Sequence, residues 1–353
     1  MTFVLKRCAA FVVALIVQSA AIFLCLRILP GDLAMVVGGT SSTPEQVARI
    51  RQQLGLDQPY PVQYWNWLSG ILHGDLGTAQ LSGASVAGEI ADRLQVTLPL
   101  ALMGLAVAIA IGLPLGVLSV TSRSARVRRG LQIAAIVAGS IPALWGGLLL
   151  IMLLGRGVGL LGVLPSQGFP VRGWHAFGRA LSSLALPALS VGIITGAEFM
   201  RYTRSALLEV RDSDYLAQAM ACGMTRAQAV RTVGLRLAAP QIVSVAGLTF
   251  AGMLTGVIVV ENLFALPGLA TLLMDDLGNR DLLAVQSELL VLTAFFLFMG
   301  LVVDLVHHAL DPRLKAAASG GADGAALREG ADGAAVTDGA DGVADGAQKE
   351  GTR

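Results

Sequence analysis

Charge is what this chain is short of: 14% of its 353 residues are Asp, Glu, Lys or Arg, against roughly 25% in a soluble globular domain. With 54% hydrophobic residues to place, the chain divides into membrane spans more naturally than into water-soluble globules. Cysteine is scarce too. Cys8, Cys25 and Cys222 stand far apart, which argues against a disulfide framework and against a Cys-x-x-Cys metal site. The four histidines, His73, His175, His307 and His308, show no His-Glu-x-x-His spacing, so no metal is expected. A GxxxxGK[ST] loop is also missing, so the chain has no means of cradling ATP phosphates. A net charge of +1 offers no global basic excess for nucleic acid.

Long apolar runs are what the chain does have. Six of them reach the ~18 residues needed to cross the hydrocarbon as helix: 9–29, 95–120, 131–155, 181–200, 241–261 and 287–309. The first follows Lys6 and Arg7 and ends its small-residue stretch at Ser19–Ala21, like a signal peptide. Its run outlasts the usual ~7–15-residue core of such a peptide, which makes it a retained helix. Segments 1–8, 121–130, 201–240 and 310–315 carry 14 Lys and Arg, whereas the longer alternate loops 30–94, 156–180 and 262–286 carry 7. Basic loops stay inside, so both termini are expected to be cytoplasmic. Gly112, Pro114, Pro142 and Pro187 interrupt the spans. They fit either ordinary transmembrane kinks or positions that line or hinge a pathway.

Thr43, Pro44 and Gln46 form a capping box that opens a helix over 44–54, and a second, aromatic-rich helix is expected near 61–73. This outer loop fits a lid at the bilayer interface or a small packed ectodomain. After Lys315 the composition shifts: residues 316–353 have no aromatic residue, four Ala-Asp-Gly triplets, and 7 acidic against 3 basic side chains. That segment reads as a disordered acidic tail. The expected organisation is 1–94 (first helix plus outer loop), 95–315 (five-helix core) and 316–353 (tail).

The inner loop 201–240 is the segment richest in local signals. Ser213 or Asp214 can cap a helix ending at Cys222, with Gly223 in the left-handed conformation. Thr225 and Gln228 form a second capping box, opening a helix from Arg226 towards Ala239 before Pro240 starts the fifth span. Ala217, Ala219 and Ala221 leave the first helix with little bulk, and Arg226, Arg231 and Arg236 make the second basic. These residues fit a docking surface for a partner, or simply a positive-inside loop of good helix formers.

Residues 214–240, DYLAQAMACGMTRAQAVRTVGLRLAAP, resemble the coupling loop of inner-membrane permease subunits of bacterial ABC importers, whose pattern is Glu-Ala-Ala, three residues, then Gly. On that register the triad falls on Ala217, Gln218 and Ala219 and the glycine on Gly223. The acidic first position and the middle alanine are replaced. The subfamily for dipeptides, oligopeptides and nickel carries the Asp-Tyr seen here as Asp214 and Tyr215. LPGD (29–32), LGLDQPYPVQYWNWLSGILHGDLG (54–77), RLQVTLPLAL (93–102), GVLPSQG (162–168), ENLFALPGLATLL (261–273), NRD (279–281) and DPR (311–313) are similar to that subfamily in order and spacing.

The resemblance implies an all-α permease of six transmembrane helices with a helical cytoplasmic coupling loop and a helical periplasmic loop, in the bacterial inner membrane. It implies four kinds of partner: a second homologous permease, two cytoplasmic ABC ATPase subunits, a periplasmic or lipid-anchored solute-binding protein, and membrane lipid. It also implies that Asp214, Tyr215, Ala217, Gln218, Ala219, Ala221, Gly223, Arg226 and Pro240 couple the chain to the ATPase. The chain would then be a transport subunit and no enzyme, with no cofactor of its own. Di- or oligopeptide import is the expected role, with nickel or another small solute as the alternative. An ion-coupled secondary transporter would show paired broken helices and a midplane acid. Pro142 and the acids Glu198, Glu261 and Asp304, near the ends of spans four, five and six, are candidates for pathway or gating. The same acids could be anchors reaching interfacial water, Arg201 or His308.

Overall fold

The computed structural model describes residues 2–28, 33–38, 42–80 and 82–310. LPGD, DPR and the acidic tail lie outside them. Among the described residues the chain is helical, with only the isolated bridges Thr78–Ser85 and Gly155–Leu164. The helices are α1 (Thr2–Ile28), α2 (Leu33–Gly38), α3 (Pro44–Gln53), α4 (Tyr60–Leu72), α5 (Val86–Thr121), α6 (Ala125–Gly139), α7 (Ala143–Leu154), α8 (Phe177–Glu209), α9 (Asp214–Ala221), α10 (Arg226–Ala229), α11 (Leu235–Leu263), α12 (Leu269–Gly278) and α13 (Leu282–Leu310). Five are long and apolar enough to cross a membrane, or six spans if the bent pair α6–α7 counts as one.

That bent pair covers the expected third span, 131–155, and breaks at the interruption that Pro142 marks in the sequence. The two halves meet at 103° around Ser140–Pro142. Proline removes a backbone donor and pushes the residue before it out of the helical region, so the chain restarts at Ala143 with Pro142 as its N-cap. Gly146 and Gly147 then let α7 lie against Ile194 of α8 and Leu263 of α11: a β-carbon on Gly147 would stand 2.6 Å from a Leu263 methyl.

Helices α5 and α8 run side by side in the same direction, joined by a small-residue stripe. Gly104, Ala108, Gly112 and Gly116 recur every four residues on α5 and meet Val191, Gly196, Met200 and Thr203 in turn. A β-carbon on Gly112 would come within 2.6 Å of the Gly196 carbonyl oxygen, and one on Gly116 within 2.6 Å of Thr203 Cβ. Lipid tails give no hydrophobic drive for helix pairing, so close backbone approach and dispersion contacts carry it. Gly112 is therefore a packing position and no break. Pro114 and Pro187 both lie inside unbroken helices. Around this pair, Leu100, Leu184, Leu186, Val257, Phe264 and Leu266 form the main buried cluster.

α1 and α13 pack together through Ile22, Leu26, Val285 and Leu290, and Arg7 pairs with Asp304 at 3.0 Å. The Thr43 capping box forms with both its hydrogen bonds. α4 docks on the α1 and α13 helices through its aromatic residues: Tyr64 Oη lies 2.8 Å from Ser19 Oγ, and Trp67 Nε1 donates to Ser287 Oγ at 3.3 Å. Trp65 remains exposed.

Candidate functional site

The segment between α8 and α11 is a helix, a glycine hinge and a second helix. Asp214–Ala221 forms α9, whose last turn is closed in two ways: Met224 N–H donates to Ala219 O at 3.2 Å and Gly223 N–H to Met220 O at 3.0 Å. This paired closure needs a left-handed residue just past the cap, and Gly223 supplies it at φ +93°. Nothing lies within 4 Å of the position its β-carbon would take, so the requirement for glycine is conformational. Thr225 Oγ1 then accepts from Gln228 N–H while Gln228 Oε1 accepts from Thr225 N–H, restarting the helix two residues after the hinge.

α9 buries one side chain fully. Leu216 is 1% exposed and packs among Phe199, Leu207, Ala229 and Val230. Tyr215, Ala217, Gln218, Met220 and Ala221 are exposed, with Ala219 partly so. Of the candidate coupling residues, Asp214, Tyr215, Ala217, Gln218, Ala219 and Ala221 share this short helix, with no covering element among the described residues, while Gly223 ends it, Arg226 opens α10 and Pro240 lies inside α11. Leu216 is the residue that sequence reasoning missed; its signal was being the lone large aliphatic among alanines.

Two local expectations are corrected. Ser213 occupies the cap position but makes no side-chain cap bond, its hydroxyl being buried without a partner. Pro240 does not begin the fifth span: α10 passes through a π-turn at Val230–Gly234 and continues as α11, with Pro240 inside it. Ser244 Oγ–H bonds the Pro240 carbonyl at 3.0 Å.

The candidate acids fare differently from one another. Glu261 is fully buried and reaches no water. Its carboxyl accepts from Thr97 Oγ1 at 2.6 Å and from the Ala270 and Thr271 amides at 3.0 and 3.3 Å, while Leu269 N–H donates to Thr97 Oγ1 at 2.8 Å. The first three amides of α12, orphaned by helix geometry, are therefore all satisfied by two side chains from other helices. Gly268 makes room: a β-carbon there would fall 2.0 Å from the Glu261 carboxyl carbon. Gly168 N–H donates to Phe264 O at 2.8 Å. The segments 93–102, 162–168 and 261–273 thus converge on one knot. Asp304 pairs with Arg7. Glu198 is exposed on α8 beside Arg201, with no ion pair among the described residues. Pro142 marks the α6–α7 bend.

Two acids escaped the sequence reading. Glu288 is fully buried in α13 beside the carboxyl of Asp276 on α12, and neither of its carboxyl oxygens has a hydrogen-bond partner among the described residues. Burial, with the neighbouring Asp281 and Asp275 carboxylates, pushes Asp276 above its ordinary value of 3.8, and Arg93 opposes the rise. Asp281 caps α13 through Ala284 N–H at 3.3 Å and accepts from Gln80 N–H.

Residues 95–316 match the model of the binding-protein-dependent transport system inner membrane component, and residues 1–101 match that of the N-terminal part of such membrane components. A Brucella abortus protein named as a peptide transport system permease is 35% identical over 318 residues, covering 88% of this chain and 98% of its own length. The glutathione transport system permease protein GsiC of Salmonella choleraesuis is 34% identical over 315 residues, covering 89% and 99%. In fold, the chain is similar to the inward-facing MetNI methionine ABC transporter, with a TM-score of 0.51 at 19% identity over 63% of this chain and 96% of that one. The chain belongs to the inner-membrane permease components of binding-protein-dependent ABC importers.

Proposed function

We propose that this permease imports peptides, received from an outer binding protein, and that α9 docks in a groove of a cytoplasmic ATPase. The observation that carries the docking reading is the α9 segment: one buried leucine on its inner side, an uncovered small-residue surface on its outer side, and a left-handed glycine ending it. The basic bias of 1–8, 121–130 and 201–240 favours placing this end of the bundle, and both termini, in the cytoplasm. The names of the relatives favour peptides or glutathione over nickel.

In this scheme two ATPase subunits close on ATP, each moving the coupling helix of one of two paired permeases. The pair switches between inward-open and outward-open states. ATP acts by biasing an equilibrium between two arrangements of packed helices. Asp214, Tyr215, Gln218 and Arg226 would meet the ATPase. Glu198, exposed on α8, and Pro142, at the α6–α7 bend, are the better pathway candidates, because Glu261 and Asp304 already have partners.

The test is Gly223→Pro in membranes containing the whole transporter. The expected result is loss of ATPase co-purification and of ATP-dependent uptake, with the permease still inserted. Undiminished uptake and association would remove the docking assignment. In the unmodified transporter, uptake of a labelled tripeptide should be displaced by other short peptides; displacement by nickel alone would remove the peptide reading.

A further inference from the structure

Beside the coupling segment lies a cavity of about 400 Å³ lined by five arginines: Arg123 from the α5–α6 connector, Arg128 from α6, Arg204 from α8, Arg211 from the turn just after α8, and Arg226 from the start of α10. No Asp or Glu is among the residues lining it. Two of the guanidiniums are fixed by neutral acceptors. Arg128 donates to the Ser122 carbonyl at 2.9 Å, and Arg204 to the Ser119 carbonyl at 3.0 Å and, with the Gln132 amide oxygen turned inward, to that oxygen at 2.8 Å. Carbonyl partners orient a cation and leave its charge uncompensated. Arg211 shares the Asp212 carboxylate at 3.2 Å. Among the described residues Arg123 and Arg226 have no carboxylate partner. A concave site with this much excess positive charge carries a self-repulsion that an anion relieves.

We infer that this cavity binds the phosphate of an anionic phospholipid headgroup. Planar guanidiniums arriving from several directions match the three-dimensional spread of phosphate oxygens. The location selects a lipid as the source of that phosphate. The cavity opens at the ends of two membrane-spanning helices, and Val120 and Leu208 from those spans form part of its wall, an apolar margin that a glycerol and its acyl chains would cover and a free ion would not. Basic pockets between spans are where such headgroups settle. The occupant would bridge Arg226, on the far side of the Gly223 hinge, to the ends of α5, α6 and α8. Lipid composition would thereby set how firmly the coupling segment is held to the bundle. The inference goes beyond the transport reading and is independent of which solute moves.

The experiment places the purified complete transporter in nanodiscs of phosphatidylcholine with or without phosphatidylglycerol and measures bound lipid by native mass spectrometry. Arg123→Gln/Arg211→Gln removes two charges from the cavity, and Arg129→Gln removes one from the exposed face of α6 outside it. We expect phosphatidylglycerol to co-purify with the wild type and with Arg129→Gln. Retention should fall roughly fivefold per cavity arginine, about 25-fold in the double variant, and recover in Arg123→Lys/Arg211→Lys. Equal retention in all variants overturns the inference. So does displacement of the lipid by inorganic phosphate alone, which would make this a free-anion site. Lipid binding that appears only after residues 316–353 are removed also overturns it, because the acidic tail would then be the occupant. If the double variant does not assemble with its partner subunits, the wild-type comparison of the two lipids decides: equal occupancy overturns the inference, and assembly itself reports separately on the docking of α9.

Discussion

Gly112 has no side chain because the carbonyl oxygen of Gly196 stands where a methyl group would go. Gly130, on α6, is equally helical but has nothing within 4 Å of that position. The same substitution should therefore have opposite signs at the two sites. Gly112→Ala is expected to lower stability by about 1–3 kcal/mol, because the clash with backbone outweighs the gain in helix propensity. Gly130→Ala is expected to raise it by roughly 0.5–1 kcal/mol through the unfolded chain's lost freedom. Unfolding of the purified protein in detergent, followed by thermal or denaturant melts, would check both; equal effects at the two positions would contradict the α5–α8 contact. In the sequence Gly112 had only the appearance of an interruption. Its partner is on another helix, and a single sequence does not announce which faces meet.

At the scale of elements, the hinge was legible and its surroundings were not. The Thr43 and Thr225 capping boxes and the Gly223 turn all close within a few residues, so their donors and acceptors can be paired by inspection. The bend of the third span and the continuity through Pro240 depend on which neighbours take up the freed backbone groups, and those neighbours are remote in sequence. Glu261 makes the same point: its hydroxyl partner, Thr97, is 164 positions away. α9 itself separates two effects that a docking element usually confounds. Leu216→Ala should loosen the helix from the bundle at a cost of about 2–5 kcal/mol, measured by hydrogen exchange across 214–224. Tyr215→Ala should leave exchange unchanged, within ~0.5 kcal/mol, and weaken ATPase association. A Tyr215→Ala variant that exchanges as fast as Leu216→Ala would mean that the exposed ring is structural.

For the whole molecule, composition told the architecture well: scarce charge and six apolar runs led to the helical bundle, and the ordered family segments to its class. The acidic knot at the end of the bundle opposite α9 was hidden, since Asp276 and Glu288 come from different helices. That knot gives the folded chain a pH dependence. Asp276 titrates above its ordinary 3.8 when folded, mainly through burial. The folded state therefore holds a proton more tightly than the unfolded chain does. Its contribution is complete below that ordinary value and is lost as pH rises through the elevated one. Asp276→Asn should accordingly make stability fall less steeply over the mildly acidic range, as followed by melts at stepped pH; an unchanged slope would place the proton elsewhere.

The uninterrupted run from α10 through the π-turn into α11 has a mechanical consequence. At 1.5 Å per residue it is a shaft about 55 Å long, with the coupling hinge at one end and the carboxyl that caps α12 at the other. Its two places to bend are the π-turn at Val230–Gly234 and Pro240. Tilting its near end by about 5° would sweep the far end by roughly 5 Å if it pivoted at one tip, more than the hydrogen bonds from Glu261 to α12 can stretch. Push the hinge, and unless the run bends at its π-turn or at Pro240, either it slides along its axis or the α12 cap has to travel with it.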